Sequence, residues 1–354
     1  MNERSQKKQD PRIGLAIIGS GNIASTHADA IRLIPEANLL GFHSRNRKTT
    51  ERISKQHHTK AWPDLERLLA EPSLDAILIA TASGAHLEPA VKALRAGKHV
   101  LCEKPIEVTG KRATQMIEAA KNADRILGGF FPLRNSLAAQ SIRQALDAGR
   151  FGRLSFVSAK VKWWRDHNYY SDSNWRGTYA LDGGGALMNQ GIHAVDLIQW
   201  LGGFPTSVFA RQSTLAHSGL EVEDTLVATV EFPQGALGVI EVGTSAYPGM
   251  DLTVEISGDK GTAVLQNDQI TLWQFAEEQA EDEAIRSPQD SSFGSGSSDP
   301  KGISCEGHRQ QIVDFLDAVT GRSKLTIDGN EALQAVRIVE ACYASAKRNQ
   351  PISL

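Results

Sequence analysis

Short apolar runs alternate with amphipathic stretches over the first 131 residues of the chain. Such runs are typical of buried parallel strands, and apolar positions spaced three and four residues apart are typical of helices between them. Strands are predicted at residues 13–18, 39–43, 76–80, 99–102 and 125–130, and helices at 23–33, 64–70, 86–96 and 110–122. The pattern predicts a parallel sheet covered on both faces, which binds ligands beyond the carboxyl ends of its strands.

After Phe131 the strand-like segments alternate apolar and polar residues, as antiparallel strands with one wet face do. They are predicted at residues 154–164, 207–214, 226–232, 236–242, 252–257, 263–265 and 270–274. Helices are predicted at residues 135–148, 186–201, 305–319 and 330–348. This half therefore predicts an α+β fold with a large, mostly antiparallel open sheet, whose open face favours a homodimer or homotetramer.

A glycine-rich turn follows the first predicted strand directly. Gly19 permits a tight turn, Gly21 lets the backbone approach a pyrophosphate, and small Ala24 lets the next helix pack on its strand. Asn22 and Ile23 begin that helix, whose free N–H groups face the anion. Strand, turn and helix together predict that an NAD- or NADP-type dinucleotide binds here.

The fold class is therefore α/β, with two domains in 354 residues. We assign residues 1–10 to a flexible tail, 11–131 to a Rossmann dinucleotide-binding domain, and 132–354 to a C-terminal α+β domain for substrate binding and oligomerisation. Within the second domain, a stretch rich in Glu, Ser and Gly at about 277–300 predicts a mobile loop.

Charge and composition narrow the class of partner. The net charge is −3, and 41% of the residues are hydrophobic, so nothing favours nucleic acid or an anionic membrane over small metabolites. The three cysteines show no spacing typical of a metal site or a disulfide framework. The polar N-terminus lacks the apolar segment of a signal peptide. We expect a cytoplasmic protein without a metal.

Polar residues follow the strand ends at which a dinucleotide would lie. Ser44 and Arg45 stand where a carboxylate would accept the ribose hydroxyls of NAD, so they favour the 2′-phosphate of NADP, although NAD stays open. The alternative is a solvated, basic start of the next helix. Thr81 and Ser83 could line the phosphate and ribose path. His86 is predicted to contact the cofactor, or else to cap or pack its helix.

The next predicted strand ends in Glu103, Lys104 and Pro105. A lysine at this edge lies where substrate would meet the nicotinamide, and Glu103 points to the opposite side. Both residues are predicted to contact the cofactor, and the proline is a candidate cis peptide. A surface pair of Glu103 and Lys104 is the alternative interpretation.

A second candidate centre follows the glycines at 183–185, which Asp182 precedes. Asn189, His193 and Asp196 are spaced to share one face of an otherwise apolar helix. Polar groups on such a helix need partners or a cavity, because burying them unsatisfied is costly. The alternative is a structural histidine that bonds to Asp196.

Aromatic and basic residues crowd the segment between the first long strand of this half and the glycines. Aromatic faces pack on sugar rings, and arginines hold hydroxyls, carboxylates or phosphates. The alternative assigns some of the aromatic residues to the core or a subunit interface. The predicted substrate contacts from this segment are Arg165, Tyr170, Trp175 and Arg176.

Both centres resemble signatures of the glucose-fructose oxidoreductase, inositol dehydrogenase and rhizopine-catabolism family (Gfo/Idh/MocA), and the likeness covers most of the chain. The Glu-Lys-Pro run at 103–105 is the most specific match. The resemblance implies that Lys104 contacts the nicotinamide ribose and the reacting hydroxyl, and that His193 serves the reacting centre. The chain departs from the family where Asn189 replaces a carboxylate. The pattern around it looks most like relatives that act on sugars or nucleotide sugars.

These observations predict an oxidoreductase that transfers hydride between a nicotinamide and a secondary hydroxyl of a sugar, polyol or nucleotide sugar. Lys104 would hold the reacting oxygen, and His193 would take or give the proton. One alternative is a redox-assisted glycosidase with NAD on the same scaffold. Another is a regulator that binds dinucleotide without turnover, against which the presence of both Lys104 and His193 argues.

Overall fold

The computed structural model describes residues 11–172, 174–287 and 304–354. The predicted tail at 1–10, and the part of the predicted mobile loop at 288–300, lie outside the described residues. None of the described helices is long and apolar enough to cross a membrane.

The first sheet has six parallel strands in the order β3-β2-β1-β4-β5-β6. Their bounds are Ile13–Ile18 (β1), Ala37–His43 (β2), Lys60–Ala61 (β3), Ala76–Ile79 (β4), His99–Cys102 (β5) and Leu127–Gly129 (β6). The predicted parallel sheet is confirmed. Edge strand β3 was not predicted, because two residues carry no readable period.

Helices cover both faces of this sheet, with bounds Asn22–Arg32 (α1), Arg47–Gln56 (α2), Leu65–Leu69 (α3), Leu87–Arg95 (α4) and Gly110–Ala123 (α5). Side chains cap three of them: Asn46, Asp64 and Thr109 each accept a backbone N–H three residues on. Helix α1 begins after Gly21 without a side-chain cap, so its first N–H groups stay open to a ligand.

The second sheet has eight strands in the order β13-β12-β11-β7-β10-β9-β8-β14. Their bounds are Leu154–Lys162 (β7), Ser207–Ser213 (β8), Thr225–Glu231 (β9), Leu237–Gly243 (β10), Thr253–Gly258 (β11), Gly261–Gln266 (β12), Gln269–Phe275 (β13) and Ile352–Ser353 (β14). All pairs are antiparallel except β7 with β10. The predicted, mostly antiparallel sheet is confirmed.

Six further helices have the bounds Leu137–Asp147 (α6), His167–Ser171 (α7), Ile192–Gly202 (α8), Asp282–Arg286 (α9), Glu306–Val319 (α10) and Gly329–Arg348 (α11). The short helices α7 and α9 were not predicted. Helix α9 lies inside the stretch predicted as a mobile loop, but its Asp282 is fully buried and accepts hydrogen bonds from Arg150 and Trp273. The described beginning of that stretch is therefore anchored.

Helices α8 and α11 pack against one face of the second sheet, and within the described part of the chain the other face is open to solvent. On β7 the alternation buries Val157, Ala159 and Val161 and leaves Phe156 54% exposed. Leu237 on the neighbouring β10 pairs with Phe156 and is 55% exposed. This face therefore carries exposed apolar side chains.

The last two long helices return to the first sheet. Ile312, Phe315 and Leu316 of α10 belong to the same core cluster as Leu15 and Ile17 of β1. Helix α11 packs against α5 as well as against α8 and β8. The division of the chain at residues 131 and 132 stays a prediction, and the segment after residue 304 contributes to the core of the first sheet.

A buried ion pair fixes the second half of the chain to the segment that follows β6. Arg134 is 1% exposed and donates two hydrogen bonds to Asp196 of α8, at 2.7 and 2.6 Å. A third hydrogen bond of 2.9 Å reaches Glu331 of α11. Because Asp196 is occupied by Arg134, the alternative in which His193 bonds to Asp196 is wrong.

We expect Arg134→Met to lower the free energy of unfolding by about 3–5 kcal/mol, because it leaves the buried Asp196 carboxylate without its partner. Urea unfolding followed by tryptophan fluorescence measures the change. The matched control is Arg47→Met, which removes an exposed pair with Glu51 and should cost less than about 1 kcal/mol. Equal stability of the two variants would contradict the role assigned to Arg134.

Candidate active site

A cavity of about 1190 Å³ runs past the carboxyl ends of β1, β2, β4 and β5 and continues towards α8. The sequence predicted ligands at this edge of the sheet. The predicted site residues on the cavity wall are Gly19, Gly21, Asn22, Ile23, Ser44, Arg45, Thr81, Ser83, Glu103, Lys104, Arg165, Trp175, Arg176, Asn189 and His193. The two predicted sets, one from each half of the chain, thus line one space.

The glycine turn has the geometry that a pyrophosphate needs. Gly19 has φ +135°, and a Cβ there would lie 2.2 Å from the carbonyl oxygen of Ala80, so only glycine fits. A Cβ on Gly21 would meet nothing within 4 Å, so this residue leaves its side of the turn open. With the uncapped N-terminus of α1 beside it, the turn fits a phosphate-bearing cofactor.

At the end of β2, Ser44 belongs to a network of hydroxyl groups. Its Oγ lies 3.0 Å from Ser20 Oγ and 2.7 Å from Thr50 Oγ1, and it donates to the carbonyl of Asn46. The Arg45 side chain is exposed on the cavity wall, next to the start of α2. A guanidinium is therefore available where the second ribose of a dinucleotide would lie.

His86 does not line the cavity, which corrects the prediction that it contacts the cofactor. It is 1% exposed, with Nδ1 at 3.0 Å from the Pro105 carbonyl and Nε2 at 3.3 Å from the Thr81 carbonyl. Burial lowers the pKa of His86, so the neutral ring serves to pack the strand ends together. His86 is therefore a packing residue at the start of its helix, which was the alternative interpretation of the sequence.

Glu103 turns away from Lys104 into a buried cluster. Nε2 of His27 lies 2.8 Å from its Oε1, and Nε2 of His308 lies 3.7 Å from the same atom. Burial alone would raise the pKa of Glu103, but His27, His308 and Lys104 together lower it to about 2. Glu103 is therefore a carboxylate at neutral pH, and it contributes negative charge beside Lys104.

Lys104 joins the two halves of the site, and the peptide bond between Lys104 and Pro105 is cis, as predicted. Its Nζ donates a 2.6 Å hydrogen bond to the backbone carbonyl of Asn189, 85 residues away. Burial lowers the pKa of Lys104, and the cations Arg176 and Arg165 act in the same direction, whereas Glu103 and Asp182 oppose them. The two carboxylates thus favour the charged form of Lys104, which burial opposes.

The segment predicted as one helix at 186–201 begins as a π-helical turn, Leu187–Gly191, before α8. Glu223 accepts the N–H groups of Gly185 and Leu187, each at 2.9 Å, and the Tyr343 hydroxyl donates to Glu223 at 3.0 Å. Burial raises the pKa of Glu223 to about 7. Two residues distant in sequence therefore hold the turn that carries Asn189. Such turns are frequent at functional sites.

His193 lines the cavity one turn after Asn189. Burial and the charge of Lys104 lower the pKa of His193 to about 3, so its imidazole is neutral at physiological pH. Its Nδ1 is buried without a hydrogen-bond partner among the described residues. Its ring forms an edge-to-face pair with the ring of Phe131, and the two ring centres are 5.8 Å apart. A neutral imidazole beside an ammonium can accept a proton.

Asp182, 1% exposed, supplies a carboxylate that the sequence analysis did not select as a site residue. Its Oδ1 accepts from Asn189 Nδ2 at 2.6 Å, and its Oδ2 accepts from the backbone N–H of Gly177 at 2.9 Å. Burial raises the pKa of Asp182 to about 6, even though these hydrogen bonds and the charges of Lys104 and Arg176 act against the shift.

Arginines and aromatic rings form the wall opposite the strand ends. The guanidinium of Arg176 lies 4.2 Å from the ring centre of Tyr169 and 5.4 Å from that of Trp175. Arg165 is 4% exposed, and its guanidinium lies 5.3 Å from the Tyr169 ring centre. Burial lowers the pKa of Arg165, and Arg176 adds to this effect.

Tyr170 was predicted as a substrate contact, but it faces away from the cavity. It is 6% exposed, and its hydroxyl lies 2.7 Å from Thr244 Oγ1, while the neighbouring Tyr169 lines the cavity instead. Both residues lie on α7, which the sequence analysis did not predict, so the side of the helix could not be assigned. Tyr170 packs beside His217.

Other cavity residues were missed because no motif marks them. Tyr169 and Trp163 belong to the aromatic stretch that the sequence analysis singled out, and Gln190 follows Asn189. The remaining wall residues carry no local signal, because loops far apart in sequence bring them together. They include Asn46, Leu133, Leu252, Asn267 and His308. Among the described residues, no group of three or more His, Cys, Asp or Glu could hold a metal ion.

The comparisons with known proteins agree with this geometry. Residues 13–130 match the model of an oxidoreductase family with an NAD-binding Rossmann fold, and residues 139–264 match the Gfo/Idh/MocA C-terminal domain. The chain therefore belongs to the Gfo/Idh/MocA family, as the resemblance predicted. It is an NAD-binding oxidoreductase.

Two kinds of relative are informative. The WlbA dehydrogenase of Bordetella pertussis, solved with NADH and UDP-GlcNAcA, is 31% identical, with a TM-score of 0.88 and coverage of 98% of this chain and 99% of that one. Its counterpart from Chromobacterium violaceum, with the same two ligands, is 30% identical over 98% of this chain and 97% of its own, with a TM-score of 0.88. Myo-inositol 2-dehydrogenase of Thermotoga maritima is 29% identical over 275 residues, covering 76% of this chain and 79% of the relative.

Proposed function

We propose that the protein is an NAD(P)-dependent dehydrogenase or reductase that transfers hydride between nicotinamide and a secondary hydroxyl, or its ketone, of a sugar or nucleotide sugar. The proposal depends on one observation: Lys104 and His193 line the cavity that begins at the glycine turn. The bound dinucleotide supplies or accepts the hydride. The open N-terminus of α1 and Gly21 fit its pyrophosphate.

Lys104 holds the reacting oxygen. Its ammonium, the form that the carboxylates Glu103 and Asp182 favour against burial, stabilises the negative charge that develops on that oxygen during hydride transfer. His193 is the group that takes the proton of the hydroxyl, or returns it in the reverse reaction. Its low pKa keeps the imidazole free to accept over the whole neutral range.

The charge of the cavity favours a substrate with a carboxylate. Lys104, Arg165 and Arg176 repel one another strongly enough to lower the pKa values of Lys104 and Arg165 further. An anionic substrate group would relieve this repulsion, and arginine binds carboxylates with paired hydrogen bonds. The WlbA relatives hold UDP-GlcNAcA, a nucleotide sugar of this charge type. We therefore propose nucleotide sugars of uronic acids as the substrate class.

The test is a screen for absorbance change in the nicotinamide band with NAD⁺ or NADP⁺ and four probes: UDP-GlcNAcA, UDP-GlcNAc, myo-inositol and levoglucosan. We expect kcat/KM for UDP-GlcNAcA to exceed that for UDP-GlcNAc by about ten-fold or more, because the two differ in the carboxylate that would bind the arginines. Dinucleotide binding without turnover of any probe would favour the regulator. Cleavage of a glycoside without added cofactor would favour the glycosidase.

The same assay tests the roles of the residues. We expect His193→Ala to lower kcat by roughly 10²- to 10⁴-fold, the scale of general acid–base assistance, and Lys104→Met to be at least as damaging. Asn189→Ala should cost less and act mainly through KM. Near-normal kcat and an unchanged pH profile in His193→Ala would assign the base to Lys104 or to a water.

We further propose that the cofactor site prefers NADP(H), because Ser44 and Arg45 replace the carboxylate that would accept the ribose hydroxyls of NAD. The guanidinium of Arg45 is exposed on the cavity wall and suits a 2′-phosphate. The WlbA relatives were solved with NADH, so NAD(H) is the competing cofactor.

We expect NADPH to bind more tightly than NADH, with the quenching of tryptophan fluorescence as the measure of Kd. Arg45→Ala should narrow the difference by about ten-fold, because a charge-assisted hydrogen bond to the phosphate is lost. Arg47→Ala is the matched control, since Arg47 already pairs with Glu51 and does not line the cavity. Equal or tighter binding of NADH by the unmutated protein would overturn the NADP preference.

We also propose that the open face of the second sheet binds a second copy of the chain, in a homodimer or homotetramer. Phe156 and Leu237 form an apolar centre on this face. Lys162 and Glu241 pair further along the same two strands, so the face also carries charges of both signs that can complement one another across a two-fold axis.

A further inference from the structure

The resemblance to the family implies a carboxylate at position 189, where this chain has Asn189. A carboxylate nevertheless reaches the same place from outside the helix, because Asp182 Oδ1 lies 2.6 Å from the Asn189 side-chain nitrogen. Asp182 lies directly before Gly183, which has φ +84° and whose Cβ would come 2.7 Å from Val108. The chain is therefore turned so tightly that the carboxylate points back at the π-helical turn.

An ionised carboxylate only accepts hydrogen bonds, so the atom of Asn189 that faces Asp182 has to be the amide nitrogen. The amide oxygen of Asn189 then faces the other way, and Asn189 is a cavity residue. The backbone of the same residue is fixed as well, because its carbonyl accepts from Lys104 Nζ. Asn189 is thus locked at both its side chain and its main chain.

We propose that Asp182 is a positioning residue: its carboxylate orients the Asn189 amide so that the amide oxygen accepts a hydrogen bond from a substrate hydroxyl beside Lys104. This inference rests on the proposed sugar oxidoreductase function. Asp182 itself does not line the cavity, so it acts through Asn189 and through its charge.

The charge of Asp182 serves the same site. Lys104 and Arg176 are the cations that act on it, and the hydroxyls of Tyr169 and Tyr170 are the other titratable groups whose pKa it raises. Its negative charge opposes the loss of the proton from Lys104. The Asp182 carboxylate therefore has two effects. It orients the amide oxygen of Asn189, and it favours the charged form of Lys104. Both of these groups bind the oxygen atoms of the substrate.

Protonation of Asp182 would undo both effects. A neutral carboxyl can donate a hydrogen bond, so the Asn189 amide could turn and present its nitrogen to the substrate. Since the pKa of Asp182 is raised to about 6, we expect kcat/KM to fall as the pH drops below about 6. The pKa of His193 is too low to give this limb.

Asp182→Asn gives a definite structural expectation. The N–H of Gly177 still needs an acceptor, so the new amide oxygen faces Gly177 and the new amide nitrogen faces Asn189. The Asn189 amide must then turn its oxygen towards residue 182 and its nitrogen towards the substrate. We expect kcat/KM for UDP-GlcNAcA to fall by about ten- to hundred-fold, mainly through KM, without the acid limb near pH 6.

The double variant Asp182→Asn, Asn189→Asp exchanges the carboxylate and the amide. The carboxylate at 189 accepts from the amide nitrogen at 182 and keeps a second oxygen for the substrate. We expect the kcat/KM of the double variant to be at least ten-fold higher than that of Asp182→Asn. Asn189→Asp alone sets two carboxylates about 3 Å apart, so one must hold a proton, and its activity should stay low.

The experiment compares these variants by pH profiles with UDP-GlcNAcA, by the Kd of NADH, and by the NMR signals of the Asn189 side-chain amide without substrate. Asp314→Asn is the control, because burial also raises the pKa of Asp314, whose carboxylate bonds to Thr326 away from the cavity. We expect this control to keep the wild-type profile and every variant to keep the Kd of NADH.

Two results would overturn the proposal. One is an Asp182→Asn variant that keeps the wild-type kcat/KM and acid limb, and the other is a double variant no more active than Asp182→Asn. If the wild type does not turn over UDP-GlcNAcA, the substrate class proposed above fails, and the NMR arm decides: amide signals of Asn189 that do not shift between pH 5 and pH 8, or that are unchanged in Asp182→Asn, contradict the positioning role.

Discussion

The hydrogen bond from Lys104 Nζ to the carbonyl of Asn189 is the contact on which the site depends. Lys104 follows a strand of the first sheet, and Asn189 lies on the π-helical turn that leads into the helix beneath the second sheet. The bond therefore requires that the two sheets keep a fixed position relative to each other. The buried pair of Arg134 and Asp196 fixes α8, and Glu223 fixes the π-helical turn before it.

The electrostatics of the site depend on three cations that the two halves of the chain bring together. Lys104, Arg165 and Arg176 line one cavity. Each of them makes the binding of an anion there more favourable, and without an anion the three cations repel one another. The charges of Glu103 and Asp182 act in the opposite direction and raise the pKa of Lys104. Burial and the charge of Lys104 lower the pKa of His193 to about 3, so the imidazole of this cavity is neutral at neutral pH.

The sequence was informative where function depends on local geometry. The turn at Gly19, the strand end at Lys104 and the helical position of His193 are set by neighbours in the chain, and the structure has them on one cavity. It was uninformative where a partner comes from far away, as in the bonds of Lys104 to Asn189 or of Tyr343 to Glu223. Tyr170 was assigned in place of Tyr169 because no pattern marks which side of a five-residue helix faces the cavity.

The charge state of Lys104 tests the account most directly. Its pKa can be followed by the NMR shift of ¹³Cε-labelled lysine, with the signal assigned by Lys104→Arg. We predict a pKa that burial lowers from the ordinary lysine value of about 10.4, with the ammonium still the main form at neutral pH. A Lys104 that is neutral at pH 7 would contradict it, because the group beside the reacting oxygen would then be a base and not a source of positive charge.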